Sequence, residues 1–150
     1  MATTATPEDL YRRISEEIWE NHNYDAVGDL VAPDYEFHDS TLPEPIRGPE
    51  GYREMAEMGA DIVDGHVETD LLLAVDDYAV ARWTQTGRHV GRMGAIEPTD
   101  EEVTITGIDI NRFEDGKLAE TWSEVNFLPM LMQVGELSPE LFEPPAPTDA

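Results

Sequence analysis

Between residues 66 and 126 the chain reads as four extended segments, His66–Val75, Tyr78–Val90, Glu102–Phe113 and Lys117–Asn126, where apolar and polar residues alternate. Asp76-Asp77 and Asp115-Gly116 are two-residue turn signals, so the segments pair as two long antiparallel hairpins. Residues 91–100, with Gly91, Gly94, Pro98 and Thr99, form the loop that joins them. Strands of this length demand a cover for at least one face. In the third segment the apolar parity changes from Val103 and Ile105 to Ile108 and Ile110. A bulge at Gly107, or a strand buried on both faces, would account for it.

The first half supplies the cover. Thr6-Pro7-Glu8-Asp9 is an N-cap, a first-turn Pro and early acids, and Leu10, Ile14 and Ile18 follow at helical spacing, predicting a helix to about His22. Asp25 caps a short second helix carrying Val27, Leu30 and Val31, which Pro33 stops, and a strand Tyr35–Asp39 follows. Gly48-Pro49 opens a third helix with Tyr52, Met55, Ala56, Gly59, Ile62 and Val63 on one face. Helices followed by long antiparallel strands are an α+β layout, and a strongly curved sheet wrapped on helices leaves a concave space for a small ligand. The expected organisation is one domain over residues 1–150, with 1–6 and the Pro-rich 137–150 as loosely held tails.

The formal net charge of −24 excludes two partner classes. Nucleic acid and anionic membrane surfaces attract Lys and Arg, and this chain has eight Arg and one Lys, Lys117. Such a balance resembles proteins of molar salt, where self-repulsion is screened, and a salt-loving, cytoplasmic source is the expectation. With no Cys, disulfides and thiolate metal sites are excluded. His22, His38, His66 and His89 lack ligand spacing and GRMGAIEPTD lacks a phosphate-loop Lys, so neither a metal nor a phosphate site is expected. No apolar stretch approaches a membrane span, and MATTATPEDL lacks the features of a signal peptide.

The stretch ARWTQTGRHVGRMGAIEPTDEEVTITGIDINRFEDGKLAETW, residues 81–122, with the continuation WSEVNFLPMLMQVG and the upstream RGPEGYREM, resembles the SnoaL-like polyketide cyclases, or ester cyclases, of the nuclear-transport-factor-two-like superfamily. The resemblance covers roughly residues 8–135. It implies a cone-shaped fold of three N-terminal helices on a curved, mixed, largely antiparallel sheet. It also implies cofactor-free aldol-type chemistry on a carbonyl compound, a small apolar or polyketide-like ligand, and a homodimer formed through the sheet. In the family the Asp four residues after the Trp handles a proton next to a carbonyl, whereas here that position is Asn126, which cannot accept and return one. The family's Thr, Gly, Leu and Phe-Pro-Asp are Arg88, Pro129, Val134 and Ile62-Val63-Asp64 here.

Strand parity places Leu118, Glu120, Trp122, Glu124 and Asn126 on one face, so Glu124 and Trp122 follow Asn126 if it looks into the cavity. Glu124 is then a candidate replacement carboxylate, or else a rim residue, and Asn126 either contacts the ligand or caps the strand end. His89, at the family's His position, is a candidate base or orienter, or a hydrogen-bonded strand His. Trp83 and Trp122 are candidate ligand walls or core residues, and His38 is a candidate pocket group or a solvent-facing His. Asp109, inside an apolar strand, either faces the cavity with a raised pKa or pairs with Arg82 or Arg112. The catalytic candidates are therefore His89, Glu124 and Asp109, and the substrate-binding candidates Asn126, Trp83, Trp122 and His38. The alternative is a non-catalytic ligand-binding or dimeric scaffold protein of the same fold.

Overall fold

A computed structural model describes residues 4–148, so the ends of both expected tails, 1–3 and 149–150, lie outside the described residues. Helix α1, Pro7–Ile14, starts on a reciprocal capping box between Thr6 and Asp9. It runs on through a wider, π-type turn, Ser15–Glu20, and buries Leu10, Ile14 and Ile18. After a 3-10 turn, Tyr24–Ala26, the short α2, Val27–Leu30, leads directly into strand β1, Val31–Asp39. Pro33 therefore lies inside β1 rather than beyond a helix. The register of β1 shifts between Val31 and Glu36, an irregularity that tolerates its missing N–H. Strand β2, Ile46–Arg47, is only two residues long, and α3, Gly48–Ile62, follows it.

Four long strands complete the sheet: β3, Val63–Val75; β4, Tyr78–His89; β5, Glu102–Glu114; and β6, Lys117–Asn126. The order is β2-β1-β6-β5-β4-β3, antiparallel except for the parallel pair β1 and β6. Asp115 and Gly116 both take positive φ, 51° and 77°, the two-residue turn that their identities predict. A short α4, Leu128–Gln133, packs Met130 into the core and accepts the Thr104 N–H on Gln133 at 2.8 Å. One 3-10 turn, Pro139–Phe142, lies in the C-terminal segment with Leu141 and Phe142 exposed.

The register corrects two readings. Pairing between β4 and β5 runs unbroken through Trp83 and Gly107, so there is no bulge at Gly107. Nor is β5 buried on both faces: Val103, Ile105, Asn111 and Phe113 face inward, whereas Ile108 and Ile110 face outward and stay 50% and 42% exposed. Gly107 serves packing instead, because a Cβ there would sit 2.3 Å from the Trp83 ring. The bulge lies in β6. Phe113 pairs with Leu118 but Arg112 pairs with Glu120, leaving Ala119 as an extra residue. Leu118 and Ala119 are both buried, and beyond them the parity is reversed.

Candidate active site

That single extra residue decides which side chains share the inner face. Past Ala119 the inward residues of β6 are Thr121, Ser123 and Val125, while Glu120, Trp122, Glu124 and Asn126 turn outward. Leu118 therefore does not share a face with Asn126. The Asn126 amide oxygen accepts the Leu128 N–H at 3.1 Å and so fastens the start of α4.

Asp109 faces inward. It lies opposite Ser123 on one side and Ala81 on the other, and the small alanine leaves room for its carboxyl. The Ser123 hydroxyl donates to Asp109 Oδ1 at 2.6 Å. Neither arginine proposed as its partner reaches it: Arg82 pairs with Asp70 at 2.6 Å, and Arg112 with Glu114 and Glu120. Burial pushes the Asp109 carboxyl above the ordinary carboxylate range. The Ser123 hydroxyl and the approaching Trp83 indole N–H oppose the shift, and the negative Asp39 adds to it. Three tyrosines lie within its field. Burial raises Tyr11, Tyr35 and Tyr52, and the Asp109 charge raises each further. Tyr52 accepts the Trp19 N–H at 2.8 Å, and Tyr35 packs edge-on against Tyr52. Two buried donors beside this carboxyl, Tyr35 Oη and Trp83 Nε1, close no well-formed hydrogen bond among the described residues.

A pocket of about 310 Å³ opens beyond the end of β1, lined by His38, Asp39, Trp122, Ser123, Glu124 and the 40–45 loop with Leu42, Pro43 and Pro45. Ser123 thus touches both this pocket and Asp109. A second, narrower pocket under the helices, between Ile18, Trp19, Val63 and Gln85, holds about 10 Å³, room for roughly one water. Three of the sequence candidates, His38, Trp122 and Glu124, therefore meet at one pocket, and Asp109 and Trp83 meet behind it.

His89 lies apart. It is fully buried, and its Nδ1 accepts the Thr99 N–H at 3.3 Å and contacts Thr99 Oγ1 at 3.1 Å, which ties down the 91–100 loop. Along β4 it is eight residues from Ala81, the register partner of Asp109, about 26 Å of strand. On the outer face His38 Nε2 bonds Glu120 at 2.7 Å, lies 3.6 Å from Glu36, and its ring stacks on Trp122. These three side chains place ligand-type atoms within 4.8 Å of one another, yet Arg47 holds Glu36 and Arg112 holds Glu120, so the cluster is already an ion-pair network.

Residues 9–134 match the sequence pattern of the SnoaL-like polyketide cyclases. The chain belongs to that family. Among solved structures it is similar to TsrD from Streptomyces laurentii, at 28% identity over 91% of this chain and 100% of that one, with a TM-score of 0.77. AclR, a hydroxylase candidate from Streptomyces galilaeus, is 23% identical over 91% of this chain and 89% of its own, TM-score 0.78. IdmH, a polyketide cyclase candidate from Streptomyces antibioticus, is 22% identical over 87% and 99%, TM-score 0.75, and these last two likenesses concern the fold. A comparison with curated proteins finds no match. No helix among the described residues is long and apolar enough to cross a membrane. Asp39, Ser123 and the three tyrosines are the surroundings of Asp109 that sequence reasoning missed. Ser123 was hidden by the Ala119 bulge, because an unbroken register sets Trp122 opposite Asp109.

Proposed function

We propose that this SnoaL-like chain is an acid/base enzyme acting on a small enolisable carbonyl compound of polyketide type, with Asp109 as a carboxyl of its proton-transfer machinery. The observation that carries this reading is the placement of Asp109: an inward carboxyl raised by burial, hydrogen-bonded to a serine that borders the open pocket. A carboxyl raised toward the working pH suits proton transfer next to a carbonyl. The Trp122 ring, stacked on His38, offers a flat wall for an aromatic ligand, and Glu124 lies at the rim. Asn126 and His89 act structurally in this reading.

The test is exchange of the α-protons of 2-tetralone in D2O, followed by proton NMR. The wild type is expected to accelerate exchange over buffer and Asp109→Asn to lose that acceleration by about 10²–10⁴-fold. Wild-type exchange no faster than buffer, or an Asp109→Asn variant as fast as wild type, overturns the assignment. The partner is a second copy, docked on the outer sheet face. There Leu73, Val80 and Ile110 are successive register partners, one apolar row across three strands and clear of the pocket. Leu73 is 57% and Ile110 42% exposed, and apolar side chains aligned in this way need cover.

A further inference from the structure

Asp39, Ser123 and Asp109 form one inward row across adjacent strands: Asp39 on β1 is the register partner of Ser123 on β6, and Ser123 of Asp109 on β5. With strands about 4.8 Å apart, the two acids stand on either side of the serine, about 10 Å apart at the backbone. Their surroundings differ. Asp39 borders the 310 Å³ pocket, and its Oδ1 accepts the Thr41 N–H at 2.7 Å and the Thr41 hydroxyl at 2.6 Å. Asp109 lies in the field of Tyr11 from α1, Tyr35 from β1 and Tyr52 from α3, and its burial favours the neutral acid although the Ser123 hydroxyl and the Trp83 N–H work the other way. Two carboxyls with opposed environments are the arrangement that divides acid and base roles.

Resting on the reading above, we propose that Asp39 is the general base of this site and works with Asp109, the acid, through the Ser123 hydroxyl. The Asp39 carboxylate removes the α-proton of a ketone held in the pocket. The electron pair of that C–H bond becomes the C=C of the enol, and the carbonyl oxygen takes the Ser123 proton. Ser123 recovers its proton from the Asp109 carboxyl. Asp39 ends protonated and Asp109 ionised, and return of a proton to carbon resets both. His38, Glu44 and Glu124 also border the pocket and are the other groups whose charge reaches the substrate. The substrate class is a ketone whose α-carbon carries a removable proton.

Two measurements test this. The first needs no substrate: a carbon-detected carboxyl titration of Asp109 in wild type and in Asp39→Asn. Loss of the Asp39 charge is expected to lower the Asp109 midpoint, and an unmoved midpoint overturns the pairing. The second is the pH profile of 2-tetralone exchange. A bell is expected in the wild type; Asp39→Asn removes the acidic limb and Asp109→Asn the basic limb, each with at least about a 100-fold loss. Ser123→Ala lowers the rate and Ser123→Thr, which keeps a hydroxyl, restores it. Wild-type exchange that survives Asp39→Asn overturns this proposal alone, whereas no wild-type exchange at all overturns the Asp109 reading and with it the role of Asp39.

Discussion

Burial raises the Asp109 carboxyl, and the sign of its effect on stability follows from that direction. Below the ordinary Asp value of about 3.9 both folded and unfolded chains hold the proton, and the group contributes no difference. As pH rises the unfolded chain ionises first, so stability from this site is lost through the folded value and stays lost at neutral pH. Asp109→Asn removes the charge. Its urea midpoint is expected to exceed that of wild type at pH 7, with the difference closing near pH 3; a constant difference across that range contradicts the shift. Gly107 is a second residue whose effect the geometry sets. A methyl group 2.3 Å from the Trp83 ring must displace it, so Gly107→Ala is expected to destabilise by about 1–3 kcal/mol in denaturant melts. Asp109 was legible from sequence as an acid set in an apolar strand. Its partners were not, because residues 39, 109 and 123 are brought together only by register.

At the scale of elements, the helices and hairpins follow from local chemistry that any reader of the sequence can see: the Thr6–Asp9 capping box, the Gly48-Pro49 start and the Asp115-Gly116 turn. The elements that escaped are long-range. Pairing of β1 with β6 joins residues more than eighty positions apart, and β2 is too short to carry a pattern. The Ala119 bulge costs most to miss, since one extra residue moves every later side chain of β6 to the other face. Asn126 consequently lies on the outward face, where its amide oxygen holds the start of α4. Asn126→Ala is expected to cost about 1 kcal/mol by loss of the bond to the Leu128 N–H, while Asn126→Asp, which keeps an acceptor, retains the wild-type midpoint and creates no exchange activity. Proton exchange gained on Asn126→Asp would instead put this position at the reacting centre.

The whole molecule carries a formal net charge of −24, and its few cations are largely committed to ion pairs with exposed partners. Such pairs contribute about 0–1 kcal/mol each, so they cannot offset repulsion among the many acids left over. Salt weakens both terms, but repulsion is the larger. Stability is therefore expected to rise steeply as KCl goes from 0.1 M to molar, over which the Debye length falls from about 10 Å to about 3 Å. The same screening bears on the proposed pairing of two copies through the Leu73, Val80, Ile110 row, because two polyanions must approach before apolar contact is made. Sedimentation should show mainly monomer in dilute buffer and dimer in molar KCl, with Ile110→Arg holding the chain monomeric at high salt. A thermal midpoint indifferent to KCl would sink the salt-loving reading. A wild type that stays monomeric in molar KCl, or an Ile110→Arg variant that still pairs there, would remove the outer face as the interface while leaving the inner acid row untouched.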